Sequence, residues 1–142
     1  MTDFDGDGIG DLAVYRPVDG TWHFWQSSTS SYTAFPFGIP TDTPAPGDYD
    51  GDGRTDVAVF RATADPSQPD FYILTSGTFN YSGVSWGVAG DVPVAGDYDG
   101  DSRTDVGVFR PSTRDWYLLR STAGFGSVNF GQPGDIPIPG GN

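Results

Sequence analysis

Three segments of the chain place aspartate at alternating positions. They read DFDGDGIGD at 3–11, DYDGDGRTD at 48–56 and DYDGDSRTD at 97–105. Carboxylates stand at positions 1, 3, 5 and 9 of each loop, and position 7 offers its backbone carbonyl. Four carboxylates so close in sequence repel one another unless a cation lies among them. Because Ca²⁺ accepts about six to eight oxygen ligands in flexible geometry, the pattern predicts about three Ca²⁺ sites per chain.

The predicted calcium ligands come from one loop each, in the same order. They are Asp3, Asp5, Asp7, the Ile9 carbonyl and Asp11; Asp48, Asp50, Asp52, the Arg54 carbonyl and Asp56; and Asp97, Asp99, Asp101, the Arg103 carbonyl and Asp105. The loops are not EF-hands, because position 12 is Val14, Val59 or Val108 where an EF-hand has glutamate. The alternative is that they are Asp-Gly turns that merely tolerate acidic residues. Three copies with this ligand spacing favour cation binding.

The rest of the chain repeats around these loops. Each loop leads into an apolar run that ends in arginine, then an aromatic run, then a Ser/Thr/Gly stretch and an aromatic-glycine pair. We interpret residues 1–142 as one propeller fragment of three repeats, at 3–47, 48–96 and 97–140. A period of this length, with turn signals at short intervals, predicts four short strands per repeat.

Composition supports an all-β fold. The chain has 21 Gly and 12 Pro among 142 residues, all 19 acidic residues are Asp and all 7 basic residues are Arg. The loss of Glu and Lys removes two residues that favour helices. The apolar runs are too short for helices, and many are apolar on both faces, as in sheets stacked face to face. The sequence therefore predicts β-propeller blades, three four-stranded blades per chain, with a β-solenoid as the weaker alternative.

Charge and residue inventory exclude several functions. A net charge of −12 disfavours a nucleic-acid partner, because nothing would neutralise the phosphates. No apolar stretch is long enough to insert into a membrane. With no Cys, no Glu, no Lys and a single His, acid–base chemistry has few available groups, so we expect no enzyme and no catalytic residues.

The chain resembles the FG-GAP/VCBS-type repeats of integrin-α-like β-propellers. The resemblance rests on the Phe37-Gly38 or Trp86-Gly87 pair, the Pro-rich run that follows it, and the acidic loop after that run. It implies one blade per repeat, with Ca²⁺ held in the loop between the first and second strands on the ligands given above. By the same analogy it implies an extracellular or cell-surface setting, although no signal peptide precedes Asp3. Ser102 departs from the pattern, since the other loops have glycine there.

Residues that recur outside the loops predict packing. We expect two aromatic positions to form the cores of the blades, and a recurring arginine to pair with a recurring aspartate in each blade. These are Trp22, Phe71 and Trp116; Phe37, Trp86 and Phe130; Arg16, Arg61 and Arg110; and Asp42, Asp91 and Asp135. His23 stands where the other repeats have tyrosine, and we interpret it as a partly buried or surface substitution.

Two binding roles remain open from the sequence. The first is a calcium-stabilised scaffold or protein-interaction module. The second is a calcium-dependent lectin with a glycan ligand, for which Trp25 is the best candidate platform. In either case the segment 135–140 resembles 91–96, an inner strand, while no such strand precedes the first loop. We therefore expect a homodimer that closes one six-bladed propeller head to tail, in preference to a trimer with nine blades.

Overall fold

The computed structural model describes residues 2–140, and these form eleven β-strands and no helix. The strands are β1 (Leu12–Arg16), β2 (Thr21–Gln26), β3 (Ser31–Pro36), β4 (Thr43–Pro44), β5 (Val57–Phe60), β6 (Phe71–Leu74), β7 (Tyr81–Val84), β8 (Val92–Pro93), β9 (Val106–Arg110), β10 (Asp115–Arg120) and β11 (Gly124–Asn129). The all-β prediction is confirmed. Within this part of the chain there is no helix that could cross a membrane.

The strands form three antiparallel sheets that follow the repeats. The first sheet has the order β1-β2-β3, the second β4-β5-β6-β7, and the third β8-β9-β10-β11. The prediction of four-stranded blades holds for the second and third sheets and is wrong for the first. The short first strands β4 and β8 come from the end of the preceding repeat, so the first and second repeats each contribute a strand to the next sheet.

The sheets pack face to face, and aromatic and β-branched side chains fill the space between them. Between the first and second sheets, Trp22 and Phe24 of β2 pack with Val57 and Val59 of β5. Between the second and third sheets, a second core contains Phe60, Phe71, Ile73, Val106 and Val108. A strand that is apolar on both faces therefore fits a sheet with a neighbour on each side.

Candidate metal-binding loops

The first aspartate of each loop shapes the loop by accepting backbone hydrogen bonds. In the second loop, Asp48 Oδ1 accepts from Gly51 N at 2.7 Å and Oδ2 accepts from Gly53 N at 2.9 Å. Asp3 and Asp97 accept equivalent bonds in their own loops. The chain can curl around one carboxylate in this way because Gly51 and Gly53 adopt left-handed φ angles of 80° and 87°.

The third loop meets the same backbone requirement with glycine at only one of the two positions, Gly100. Ser102, which stands where the second loop has Gly53, has a φ of 69°. Left-handed backbone costs an L-residue free energy that glycine does not pay. The departure noted in the sequence is therefore a real local strain, and the loop keeps its shape in spite of it.

The last aspartate of each loop is buried and ties the loop to a distant hairpin. Asp56 Oδ2 accepts from Tyr49 N at 2.9 Å, and Oδ1 accepts from Ser76 N at 2.7 Å. Ser76 lies in the turn between β6 and β7. Asp11 and Asp105 make the same two contacts, the second of them to Ser27 and Ser121 respectively.

These serines were missed by sequence reasoning, although a signal for them existed. Ser27, Ser76 and Ser121 occupy the same place after the aromatic run of each repeat. The sequence could not show which atom they use, because the contact is made by the backbone N–H and not only by the hydroxyl. The hydroxyls of Ser27 and Ser121 do reach the loops as well, at Asp7 and Asp101.

Folding gathers three of the four predicted carboxylates in each loop. Their oxygens lie within 4.8 Å of one another. The groups are Asp3, Asp5 and Asp11; Asp48, Asp50 and Asp56; and Asp97, Asp99 and Asp101. The fourth predicted carboxylates, Asp7, Asp52 and Asp105, lie outside these groups. The predicted carbonyl donors Ile9, Arg54 and Arg103 belong to residues exposed at the surface of their loops.

Two electrostatic features of these carboxylates favour a nearby cation. Burial, opposed by two backbone hydrogen bonds and reinforced by the charges of Asp50 and Asp48, raises the pKa of Asp56 to about 6. In the third loop, Asp99 Oδ1 is shielded from solvent yet has no hydrogen-bond partner within residues 2–140. A buried carboxylate oxygen without a donor is costly unless a cation takes the donor's place.

Neighbouring loops contact each other across the sheet boundary. Thr55 N donates to Asp3 O at 2.6 Å, and Asp3 N donates to Thr55 Oγ1 at 2.8 Å. Thr104 N donates in the same way to Asp48 O at 2.6 Å. The Arg54 side chain also lies directly over Gly6, where a Cβ would meet it. The loops thus form a connected row, and the first aspartate of one loop is also a contact point for the next.

The predicted arginine–aspartate pairs form in two of three places. Arg61 Nε donates to Asp42 Oδ1 at 2.6 Å, and Arg110 Nε donates to Asp91 Oδ1 at 2.9 Å. In both pairs the carboxylate is almost completely buried and the arginine also lies 4.5 Å from a tyrosine ring, that of Tyr72 in the first pair. The third pair does not form: Arg16 and Asp135 are exposed and lack an ion pair in the described chain.

The aromatic core prediction fails at one position, at the C-terminal end of the row. Trp22 and Phe71 are buried, and Phe37, Trp86 and Trp116 are half-buried, but Phe130 is exposed. Trp25, the candidate sugar platform, is half-exposed. His23 is partly buried, as expected, and its Nδ1 lies 2.8 Å from the Tyr32 hydroxyl.

Comparison with known protein families identifies the repeat. An FG-GAP-like repeat model matches residues 3–59, and an FG-GAP repeat model matches residues 41–86. No curated protein and no solved structure matches the chain. FG-GAP repeats are generally non-enzymatic and are typical of extracellular proteins. Together with three similar antiparallel sheets, each joined to an acidic loop, these matches show that the chain is an FG-GAP-type repeat protein.

Proposed function

We propose that the chain is a non-enzymatic, calcium-binding β-propeller module with a scaffolding or protein-interaction role. The observation that carries this proposal is the threefold gathering of carboxylate oxygens within 4.8 Å, each time in a loop that leads into a sheet strand. Oxygen-only donor sets on glycine-bent loops suit Ca²⁺ better than Mg²⁺, which demands stricter octahedral geometry. The gathered carboxylates would hold the ion, with the carbonyls of Ile9, Arg54 and Arg103 as further candidate donors.

The charge balance supports the same proposal. Three bound Ca²⁺ ions would bring the net charge from −12 to about −6, which relieves repulsion along the row of loops. Twelve of the 19 aspartates lie in these loops, so most of the charge is located where the ions would bind. Calcium would therefore stabilise the loops and, through Thr55 and Thr104, the contacts between sheets.

Calcium removal tests the proposal most directly. A site filled at 100 times its Kd stabilises the fold by about 2.7 kcal/mol, so loss of three sites lowers the melting temperature by many degrees. We expect a large drop in the thermal midpoint when a chelator is added at low ionic strength, with full recovery on adding Ca²⁺ back. An unchanged midpoint would rule out the proposed linkage between calcium and folding.

A matched pair of variants locates the effect in a loop. Asp50→Asn removes one carboxylate from the second group, and we expect it to reproduce part of the effect of chelation and to lower the calcium stoichiometry by one in a titration. Asp65→Asn makes the same charge change in an exposed turn, where Asp65 Oδ1 accepts only from Ser67. If both variants behave alike, the loops are not the calcium sites.

The interaction role is proposed because few titratable groups of the chain remain available for catalysis. Its titratable groups are mostly committed to the loops or to buried ion pairs, which leaves few for acid–base catalysis. An extracellular location would supply the millimolar Ca²⁺ that modest sites of this kind need. A pull-down with and without Ca²⁺ from an extracellular extract tests the role, and partners captured only with Ca²⁺ would support it.

A lectin is the second candidate, and Trp25 is the residue that favours it. Half of its surface is exposed, and it lines a groove with Leu12, Val14 and Tyr32. Aromatic faces can stack on sugar rings, but the valine and leucine beside Trp25 offer no hydrogen bonds to hydroxyl groups. A glycan array in Ca²⁺ separates the two: a reproducible hit abolished by Trp25→Ala favours the lectin.

A further inference from the structure

The first sheet has a free edge at β1 that the other sheets do not have. In the second sheet β4 pairs with this edge of β5, and Ala45 N donates to Ala58 O at 2.8 Å. In the third sheet Val94 N donates to Gly107 O at 2.8 Å. Ala13 occupies the equivalent place in β1, and no described segment pairs with its outer edge. An unpaired strand edge is a template for a further strand.

The segment at 135–140 has the sequence and local structure of the missing strand. It reads DIPIPG, in the pattern of DTPAPG at 42–47 and DVPVAG at 91–96. Its first residue already makes the turn seen in those segments: Asp135 N donates to Gln132 O at 3.1 Å, and Asp135 Oδ2 accepts from Gln132 N at 2.9 Å. Asp91 makes the same pair of contacts with Val88. The turn that precedes such a strand is therefore already formed, although the segment pairs with no sheet in the described chain.

The two regions are also complementary in charge. Asp42 and Asp91, which precede β4 and β8, bind the arginine that follows β5 and the arginine that ends β9. Asp135 is the equivalent acid and Arg16 is the equivalent base, and both are exposed. Within residues 2–140 they are the only members of this repeated pair without their partner. If Ile136 and Pro137 adopt the register of β4 on β1, Asp135 comes to Arg16 as Asp42 comes to Arg61.

Exposed apolar side chains also lie at both ends of the row of sheets, where two copies of the chain would meet. Leu12 and Val14 are 73% and 61% exposed, whereas their equivalents in the second sheet, Val57 and Val59, are 7% and 1% exposed. On the opposite end of the row, the exposed apolar side chains include Val128, Phe130, Ile136 and Ile138. Val128 and Phe130 stand at the repeat positions of Val84 and Trp86, which are half-buried, and Ile138 stands at that of Ala45, which is buried. Thr43, the equivalent of Ile136, is exposed.

We propose that a second copy of this chain binds this edge, with residues 135–138 of one copy added to β1 of the other as the fourth strand of the first sheet. Arg16 of the receiving copy pairs with the donated Asp135, and Ala13 O accepts from the donated Ile138 N. In the second sheet Gly47 O accepts from Asp56 N, but in the receiving copy Thr2 O already fills the equivalent place by accepting from Asp11 N at 2.6 Å. The donated strand therefore ends before Gly140. Asp97 O of the donor faces Gly10 N of the receiving copy, in the same way that Thr104 N donates to Asp48 O within one chain.

The same contact made twice closes a ring. Two copies bring together six sheets, which lies within the range of about four to eight blades seen in propellers, whereas three copies bring nine. The contact is head to tail, so it closes only at a fixed number of copies and otherwise would grow. The inference rests on the blade architecture of the proposed function but not on calcium binding, so light scattering and calcium titration can fail independently.

Charge reversal tests the interface through complementation. In Ca²⁺ we expect light scattering to give about 30 kDa for the wild type, twice the 15.1 kDa of one chain. Arg16→Asp places two acids at each interface and Asp135→Arg places two bases there, so each variant alone should dissociate at least about a hundredfold more readily. Mixed in equal amounts, the two variants restore an opposite-charge pair at both interfaces, and we expect the mass of a dimer to return. Their recovery also shows that both variants fold.

Several outcomes would overturn the inference. A folded wild-type monomer near 15 kDa contradicts it, and so does a mixture of the two variants that stays monomeric. A ring of three copies cannot alternate two variants around an odd number of interfaces, so a wild-type mass near three chains, without recovery in the mixture, would establish the nine-bladed ring instead. Asp65→Arg makes the same charge change as Asp135→Arg in an exposed turn, and dissociation of this control would show that net charge, and not the pair, governs assembly.

Discussion

The first and second sheets carry nearly the same strand after their acidic loops, in very different surroundings. β1 reads LAVYR and β5, with the arginine that follows it, reads VAVFR. Val59 is fully buried against the first sheet, whereas Val14, at the same register position, is 61% exposed. The difference shows that a blade strand is built to be covered on both faces, and that its burial depends on whether a neighbouring sheet is present.

The largest expected effect comes from placing a charge at the two equivalent valines. Val59→Asp puts a carboxylate between Trp22 and the second sheet, which costs about 4 kcal/mol or more and should leave the chain unfolded. In the isolated chain Val14→Asp puts the same carboxylate in water, so at protein concentrations that keep the chain monomeric it should leave the β-sheet circular dichroism spectrum intact. Similar loss of structure in both variants would show that Val14 and Val59 are equally buried in the isolated chain.

A smaller effect is expected from the recurring arginine. Arg61→Ala leaves the buried Asp42 carboxylate without its cation and removes the contact with the Tyr72 ring, at a cost of about 3 kcal/mol in the free energy of unfolding. Arg16→Ala removes an exposed side chain that has no such partner in one chain. Urea unfolding at nanomolar protein, followed by tryptophan fluorescence, measures both. An equal loss of stability would mean that Arg16 is already paired within a single chain.

The smallest effect concerns the contact between loops. Thr55→Ala removes the hydroxyl that accepts from the buried Asp3 N–H, and we expect a loss of about 1 kcal/mol. Gly10 is the equivalent residue of the first loop, and no preceding sheet contacts it in the described chain, so Gly10→Ala should be close to neutral. Hydrogen exchange of the Asp3 amide offers a second readout, since it should accelerate in Thr55→Ala only.

Much of the local structure was predictable because it is governed by short-range rules. Alternating aspartates with glycines predict a curled loop around oxygen donors, and Asp48 does gather the N–H groups of Gly51 and Gly53. The short runs rich in Val, Phe and Tyr predict strands, and β5 and β9 appear where they were expected. The arginine–aspartate pairing was predictable from recurrence, because a repeated acid and a repeated base of matching geometry tend to meet.

Other features could not be predicted because they depend on contacts between distant segments. Which three of four carboxylates converge differs between loops: the third group uses Asp101, where the first two use Asp11 and Asp56. The backbone N–H of Ser76 reaches Asp56 only because the β6–β7 turn folds back over the loop. Sequence recurrence marks such residues, but it does not give their direction in space.

By itself, the sequence determined the repeat, the strand-rich fold and the acidic loops, because each of these depends on residue types at fixed short spacings. Only the tertiary structure decided in which copies of the repeat the arginine is paired and the strand is covered. Arg61 and Arg110 find their aspartates while Arg16 does not, and β5 is covered while β1 is not, although the sequences are nearly the same. The physical reason is that burial and ion pairing in stacked sheets depend on the adjacent sheet, and the local sequence around a residue does not show whether that sheet is present.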